Sequence, residues 1–203
     1  MSDLPFTGQV LLPLLQEYER PFDKISELVE KGYLVRLRRD LYIAGPEVQS
    51  VVPEPFTIAN HLFGPSYVTA ESALSYYGLI PERVYHVVSA TSLRRRVIRT
   101  ILGDFVYHLM PLPYYSLGLS SENIGKRQNV MIASPEKALC DLIISSKGVL
   151  LRSTRQTRQY LFDDLRISMD SLARLNISAI NEWLEFCPKE HSIGMLVKTL
   201  NEL

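Results

Sequence analysis

The sequence predicts an α+β protein in two parts, a small helix-and-hairpin unit followed by a larger mixed α/β domain with a helical C-terminal tail. Three observations carry this. A helical stripe stopped by glycine runs straight into a basic hairpin within residues 22–44, the dipeptide Gly103-Asp104 separates two strand-like runs, and most of the chain after residue 158 has apolar residues at three- and four-residue spacing. With 203 residues the chain can bury a good core without disulfides. Its 46% hydrophobic content, with 11 Tyr and 7 Phe, excludes a disordered chain.

Element by element, Val10, Leu11, Leu12, Leu14, Leu15 and Tyr18 fit a buried helix that Pro13 must enter in its first turn or kink. Over residues 22–31, Ile25, Leu28 and Val29 form a stripe at i, i+3, i+4, and Gly32 stops that helix in the left-handed region. In residues 33–44, Val35 and Leu37 alternate with Arg36 and Arg38, Arg39-Asp40 turns, and Leu41, Tyr42 and Ile43 return. Helix, glycine stop and a hairpin with arginines outward is the layout of a winged helix-turn-helix, with two clear helices before the wing where three are usual. This sets a first domain at 1–46. Pro53 and Pro55 make residues 47–55 a proline-rich linker, and the second domain occupies 56–203.

In that second domain a short helix is expected at 56–63, and a longer one starts near Ser66 or Thr69 and ends at Gly78. Strands follow at 84–90, 96–102, 105–110 and 130–133, the middle two turning at Gly103-Asp104. Ser134-Pro135-Glu136 then opens a helix with a capping serine, a proline at the first helical position and an acid in the first turn. The tail reads as helices at 160–165, 170–175, 178–186 and 192–203.

Charge is balanced at 22 Lys+Arg against 22 Asp+Glu, but the balance hides a polarity. Residues 31–158 hold sixteen bases and nine acids, bunched as Lys31, Arg36, Arg38, Arg39, then Arg94, Arg95, Arg96, Arg99, then Lys147, Arg152, Arg155, Arg158. Clusters of this kind form a phosphate-facing surface if the fold brings them together, and remain separate solvated faces if it does not. No apolar run approaches the roughly 18–20 residues of a membrane span, and the first six residues lack a basic start followed by an apolar stretch, so a cytoplasmic protein with no membrane partner is expected.

Catalytic signals are thin. His61, His86, His108 and His191 lack the i, i+4 pairing that places two imidazoles on one metal, no glycine cluster offers a phosphate loop, and Ser72 stands in Ala-Glu-Ser-Ala, so neither a metal nor another cofactor is expected. Cys140 and Cys187 read as reduced, buried thiols. The nearest set for a metal-dependent nuclease is Glu136, Lys137 and Asp141, but Lys137 and Asp141 at i, i+4 more often form a surface ion pair.

Four stretches, in order, carry a family resemblance: LVEKGYLVRLRRDLY at 28–42, IANHL at 58–62, PSYVTAESALSYYGL at 65–79 and SPEKALCDL at 134–142. Together they resemble the AbiEi family of antitoxins, the regulator halves of bacterial abortive-infection toxin–antitoxin pairs. The resemblance implies a non-catalytic, two-part protein whose N-terminal winged helix represses its own operon and whose C-terminal domain counteracts a nucleotidyltransferase-like toxin. It places Arg36, Arg38 and Arg39, with Lys31 beside them, on double-stranded operator DNA. The helix before the wing carries Asp23, Glu27 and Glu30, a poor surface to press between phosphates, so the wing has to carry the contact. Arg94, Arg95, Arg96 and Arg99 form a second basic ridge that could meet nucleic acid or an acidic partner. The rival readings are a protein-interaction module without DNA binding and, last, the nuclease.

Overall fold

The computed structural model describes residues 4–49, 51–82, 84–124 and 128–203, and the fold is α+β with a mixed sheet. The N-terminal unit has a short helix α1 (Gly8–Leu11), a 3₁₀ turn at Leu12–Leu15, helix α2 (Pro21–Glu30) and a hairpin of β1 (Leu34–Arg38) and β2 (Leu41–Ala44). Pro21 starts α2 and Gly32, at φ +75°, stops it, as the sequence requires. The expected buried helix over residues 8–18 is corrected. Pro13 sits inside the 3₁₀ turn, whose three residues per turn break the apolar stripe, so Leu15 is buried while Val10, Leu14 and Tyr18 are 58%, 76% and 46% exposed.

The hairpin is a plate with two apolar faces. Leu34 and Tyr42 close a small cluster with Leu15 and Ile25, whereas Leu37, Leu41 and Ile43 belong to the main core of the molecule. The linker, of which residue 50 lies outside the described residues, therefore follows a hairpin that shares the larger body's core. It is anchored at its far end, where the Glu54 N–H donates to Gln128 Oε1 at 3.0 Å.

The larger body contains helices α3 (Pro55–Leu62), α4 (Ala70–Tyr76) and α5 (Pro135–Ser145), strands β3 (Ser66–Val68), β4 (Val87–Thr91), β5 (Arg96–Thr100), β6 (Gly103–Leu109), β7 (Leu119–Ile124) and β8 (Gln128–Ala133), and a helical tail. Six strands form one sheet in the order β5-β6-β4-β3-β8-β7, with parallel pairings at β6/β4 and β3/β8. Two strands are additions to the sequence reading. Ser66 opens β3 rather than a helix, because three residues buried on both faces show no alternation; β7, reading LSSENI, shows no alternating apolar pattern either. His86, expected in a strand, precedes β4.

Register decides which helix covers which face. Tyr67, Ala90 and His108 are aligned across β3, β4 and β6, so they share one face; Val68 with Ser89, and Ser89 with Tyr107, share the other. Tyr67 points to α5, and Tyr107 points to α3, donating its hydroxyl proton to the Ala59 carbonyl at 2.7 Å. Asn60 fixes α3 to the sheet. Its side chain accepts from the Met131 N–H at 2.8 Å and donates to the Met131 carbonyl at 3.3 Å, serving backbone that β3 is too short to pair. The tail, α6 (Thr154–Gln159) with a π turn at Tyr160–Asp164, α7 (Met169–Leu172), α8 (Ile177–Trp183) and α9 (Glu190–Asn201), packs behind α5. Lys189 spends its ammonium on the carbonyls of Ile143, Ser146 and Val149, capping the C-terminal end of α5.

Lys137 and Asp141, expected as a surface ion pair, are instead completely buried and 2.7 Å apart. The sequence spacing was right for the contact and silent about the side of the helix. Asp141 also accepts from the hydroxyls of Tyr67 at 2.9 Å, Thr69 at 2.7 Å and Tyr114 at 2.9 Å, and Lys137 Nζ lies 3.3 Å from the centre of the Tyr114 ring. Gly118, at φ +61°, closes the site. Any Cβ there would come within 2.6 Å of Trp183 and 2.9 Å of Lys137. Burial pushes the Lys137 ammonium below the usual lysine range, with the charge of Asp141 opposing it.

Removing one partner of a buried pair costs about 3–5 kcal/mol. Lys137→Met leaves Asp141 with three hydroxyl donors, whereas Asp141→Leu strands the ammonium and three hydroxyls together. Urea unfolding is expected to show the Asp141 variant as the less stable of the two; the reverse order would contradict this account. Tyr67 and Tyr114 are held above the usual tyrosine value of 10.0, first by burial and then by the charge of Asp141. Their stabilisation is complete below pH 10 and is lost as pH rises, because the unfolded chain then gives up phenolic protons that the folded one keeps. Unfolding followed between pH 8 and 11 is expected to show stability falling above 10, less steeply in Tyr67→Phe.

Candidate nucleic-acid interface

The hairpin owes its shape to Asp40. This residue takes the left-handed turn position at φ 59°, and its carboxylate accepts the Gly8 N–H at 2.9 Å, tying the start of α1 to the turn. Phe6 and Tyr42 exchange two backbone hydrogen bonds at 2.9 and 2.8 Å, so the chain start runs against β2 as a further strand pairing. On this frame Arg36, Arg38 and Arg39 are all exposed, and among the described residues none of them meets an acid in an ion pair. The Arg36 guanidinium lies over the Tyr42 ring at 5.6 Å, holding its charge at the surface. Arg36, Arg39 and Tyr42 line one side of an open groove of about 630 Å³ whose other side includes Phe22 and Ser26 from α2.

Lys31 is exposed beside the hairpin, but its charge is already engaged. Its ammonium lies 2.7 Å from Glu27, whose other carboxylate oxygen is 2.9 Å from Lys24. Hydrogen bonds from Lys31 and Lys24 hold the Glu27 carboxyl down at about 2, and Glu27 in turn raises the Lys31 ammonium above the usual lysine range. With Asp23 and Glu30 also on α2, the helix offers little positive charge to a polyanion. The hairpin therefore presents three uncompensated cations, and Lys31 belongs to a local ion-pair network.

The second set divides between the two faces of the sheet. Arg96 heads β5, at the edge, paired in register with Tyr107, and its guanidinium lies 5.4 Å from the centre of the Phe63 ring. Phe63 in turn meets Tyr107 edge-to-face at 5.3 Å. Arg96 is therefore on the α3 face. Arg99, three residues on, lies on the opposite face, 3.7 Å from Asp104. Arg94 and Arg95 are exposed just ahead of the strand. In the third cluster Arg158 pairs with Glu202, next to the C-terminal end of α9.

The nuclease candidates do not converge on an open site. Lys137 and Asp141 are sealed from solvent, and Glu136 accepts the N–H of Asn176 at 2.8 Å, at the start of α8. Among the described residues no three His, Cys, Asp or Glu side chains gather as metal ligands. Cys140 and Cys187 are buried and free, and burial pushes the Cys187 thiol up to about 12. No described helix is long and apolar enough to cross a membrane. Sequence reasoning missed Asp40 as the tie to the chain start, Tyr42 as the platform for Arg36, and the Phe63–Tyr107 pair beneath Arg96. Alternation in β5 and β6 could have placed Tyr107 and Arg96 on one face; the ring contacts depend on tertiary packing.

No family model matches the chain, and no curated protein matches it. Among solved structures it is similar to the crystal structure of the RV2827C protein from Mycobacterium tuberculosis, with a TM-score of 0.52 and 14% identity over 97% of this chain and 75% of that one. At that identity the likeness speaks for the fold alone.

If Lys24 and Lys31 hold Glu27 as described, its side-chain carbon signal followed by NMR titrates near pH 2. In the Lys24→Ala/Lys31→Ala variant the midpoint is expected to move back towards 4.5. A midpoint already at the ordinary value in the unaltered protein would remove the case for a neutralised Lys31.

Proposed function

We propose that this protein is an antitoxin and transcriptional autoregulator. It binds the promoter of its own operon through the hairpin and counteracts a nucleotidyltransferase-like toxin. One observation carries the DNA half: Arg36, Arg38 and Arg39 stand exposed on a two-stranded hairpin beside α2, without acid partners among the described residues. Guanidinium groups so placed displace condensed counterions from DNA phosphates, which drives association and makes it steeply salt-dependent. Contacts of this kind position a protein on the duplex, and sequence choice comes from side chains that reach base edges. The antitoxin half rests on the four-segment resemblance to AbiEi proteins. In those segments the residues with explained roles, Asn60, Thr69 and Asp141 among them, hold the fold together.

A second reading, a protein-interaction module, is favoured by the apolar side chains that Pro13 leaves exposed around Val10, Leu14 and Tyr18, with Phe22 close by in sequence at 66% exposure. The two readings part in a binding experiment on the DNA upstream of the gene. Autoregulation predicts that log K falls linearly with log salt, and that Arg36→Ala/Arg38→Ala/Arg39→Ala flattens the slope by roughly 0.9 for each phosphate that the variant no longer neutralises. Absence of retardation at low salt, with toxin suppression intact, would favour the interaction module.

A further inference from the structure

We infer that β7, one free edge of the six-stranded sheet, is a self-association surface: it pairs antiparallel with β7 of a second copy of this chain, about a two-fold axis at Ser121. The inference goes beyond the antitoxin and DNA-binding reading and does not depend on it.

The hydrogen-bond ladder decides which backbone groups of β7 are free. In an antiparallel pair, opposite residues alternate between those that bond each other and those that do not. Ser121 stands opposite Met131, and the Met131 N–H and carbonyl both go to the Asn60 side chain. At the head of the strand the Ser134 N–H donates to the Gly118 carbonyl at 2.8 Å, which gives the same alternation. Ser120, Glu122 and Ile124 therefore bond to β8, whereas Leu119, Ser121 and Asn123 turn their N–H and carbonyl groups to the open side. Among the described residues no other group bonds to those amides and carbonyls.

A free edge invites pairing, and natural edges are blunted by charge, proline or a bulge. The opposite edge of this sheet is blunted, since β5 carries Arg96 and Arg99. β7 reads LSSENI, without lysine, arginine or proline, and its register with β8 is unbroken from Leu119 to Ile124. Any extended peptide could use such amides; what singles out a second copy is that the strand complements itself. Pairing about Ser121 sets Leu119 opposite Asn123 of the second copy, and Asn123 opposite its Leu119, so every outward residue finds a partner. Each Glu122 then faces a Ser120. Sliding the strands by two residues would instead set Glu122 against Glu122 with Cα atoms about 4.5 Å apart, where like charges destabilise the pair. The one charge in β7 thus fixes the register of an isologous joint. Met131, beside Ser121 and 42% exposed, adds apolar surface to it. A strand pair this short buries less than the roughly 1,200 Å² of a stable complex, so the association reverses on dilution.

The test is sedimentation equilibrium of the full chain and of Ser121→Pro over a concentration series, without DNA. Proline at 121 removes only an N–H that β8 does not use, and circular dichroism checks that the variant is folded. The full chain is expected to move from the monomer mass towards twice that mass as concentration rises, and Ser121→Pro to keep the monomer mass throughout. Two cysteine variants test the register and do not depend on the proline. About a two-fold axis at Ser121, residue 121 meets its own copy with Cα atoms about 5.5 Å apart, within the roughly 4.4–6.8 Å that a disulfide spans, whereas residue 123 meets Leu119. Treated with diamide, Ser121→Cys should form a covalent dimer and Asn123→Cys should not; the native thiols Cys140 and Cys187 are buried. A full chain of monomer mass at every concentration overturns the proposal. So does a dimer that survives Ser121→Pro, or Asn123→Cys crosslinking as readily as Ser121→Cys. Any of these results leaves the DNA-binding reading standing, because no DNA enters the measurement.

Discussion

A carboxylate sealed from water has to be met by donors, and around Asp141 that requirement organises the fold. Tyr67, Thr69, Tyr114 and Lys137 come from β3, the approach to α4, the turn after β6 and α5 itself, and all four converge on its two oxygens. The hydroxyl of Thr69 is drawn to Asp141 instead of capping α4, and Ala70 enters that helix at φ 49°, an uncommon conformation for a residue with a Cβ. Because Tyr67 must face α5, the pleat turns Val68 the other way, and the same parity continues across β4 and β6 to Tyr107. The face left for α3 and Arg96 is thus set by a buried anion on the opposite side of the sheet.

The functional reading depends on that division. The face carrying Asp141 is covered by α5 and the tail. The other is covered by α3, and the hairpin sends Leu37, Leu41 and Ile43 into the shared core while its arginines stay in water. A basic hairpin tethered only by a linker would carry its charge independently of the body. This one is held through a shared core, so its charges keep a fixed relation to those of β5.

Much of this was legible in the sequence where local chemistry dominates. Gly32, Asp40 and the Ser134-Pro135 start mark turns and helix ends that the structure reproduces, because each depends on a few neighbouring backbone groups, whereas Gly103-Asp104, expected as a hairpin turn, opens β6 and pairs with Thr100 and Arg99, so that the turn falls on Ile101-Leu102. The site residues Arg36, Arg38 and Arg39 were legible too, since alternation in a hairpin assigns them to one side or a turn. What stayed hidden depends on partners distant in sequence. β3 is buried on both faces and carries no period; Lys137 and Asp141 look like a helical surface pair until Tyr67, Tyr114 and Trp183 are packed over them; and Lys31 looks available until Glu27 claims it. Arg96 and Arg99 look like one cluster in sequence, and strand parity places them on opposite faces.

The most direct test of the whole account asks which arginine positions touch DNA. Single Cys substitutions at Arg36, Arg38 and Arg99, each carrying the same short photo-crosslinker and irradiated with the upstream duplex, should join the protein to DNA from positions 36 and 38 but not from 99. Crosslinking from position 99 as efficient as from 36 or 38 would contradict a DNA contact carried by the hairpin.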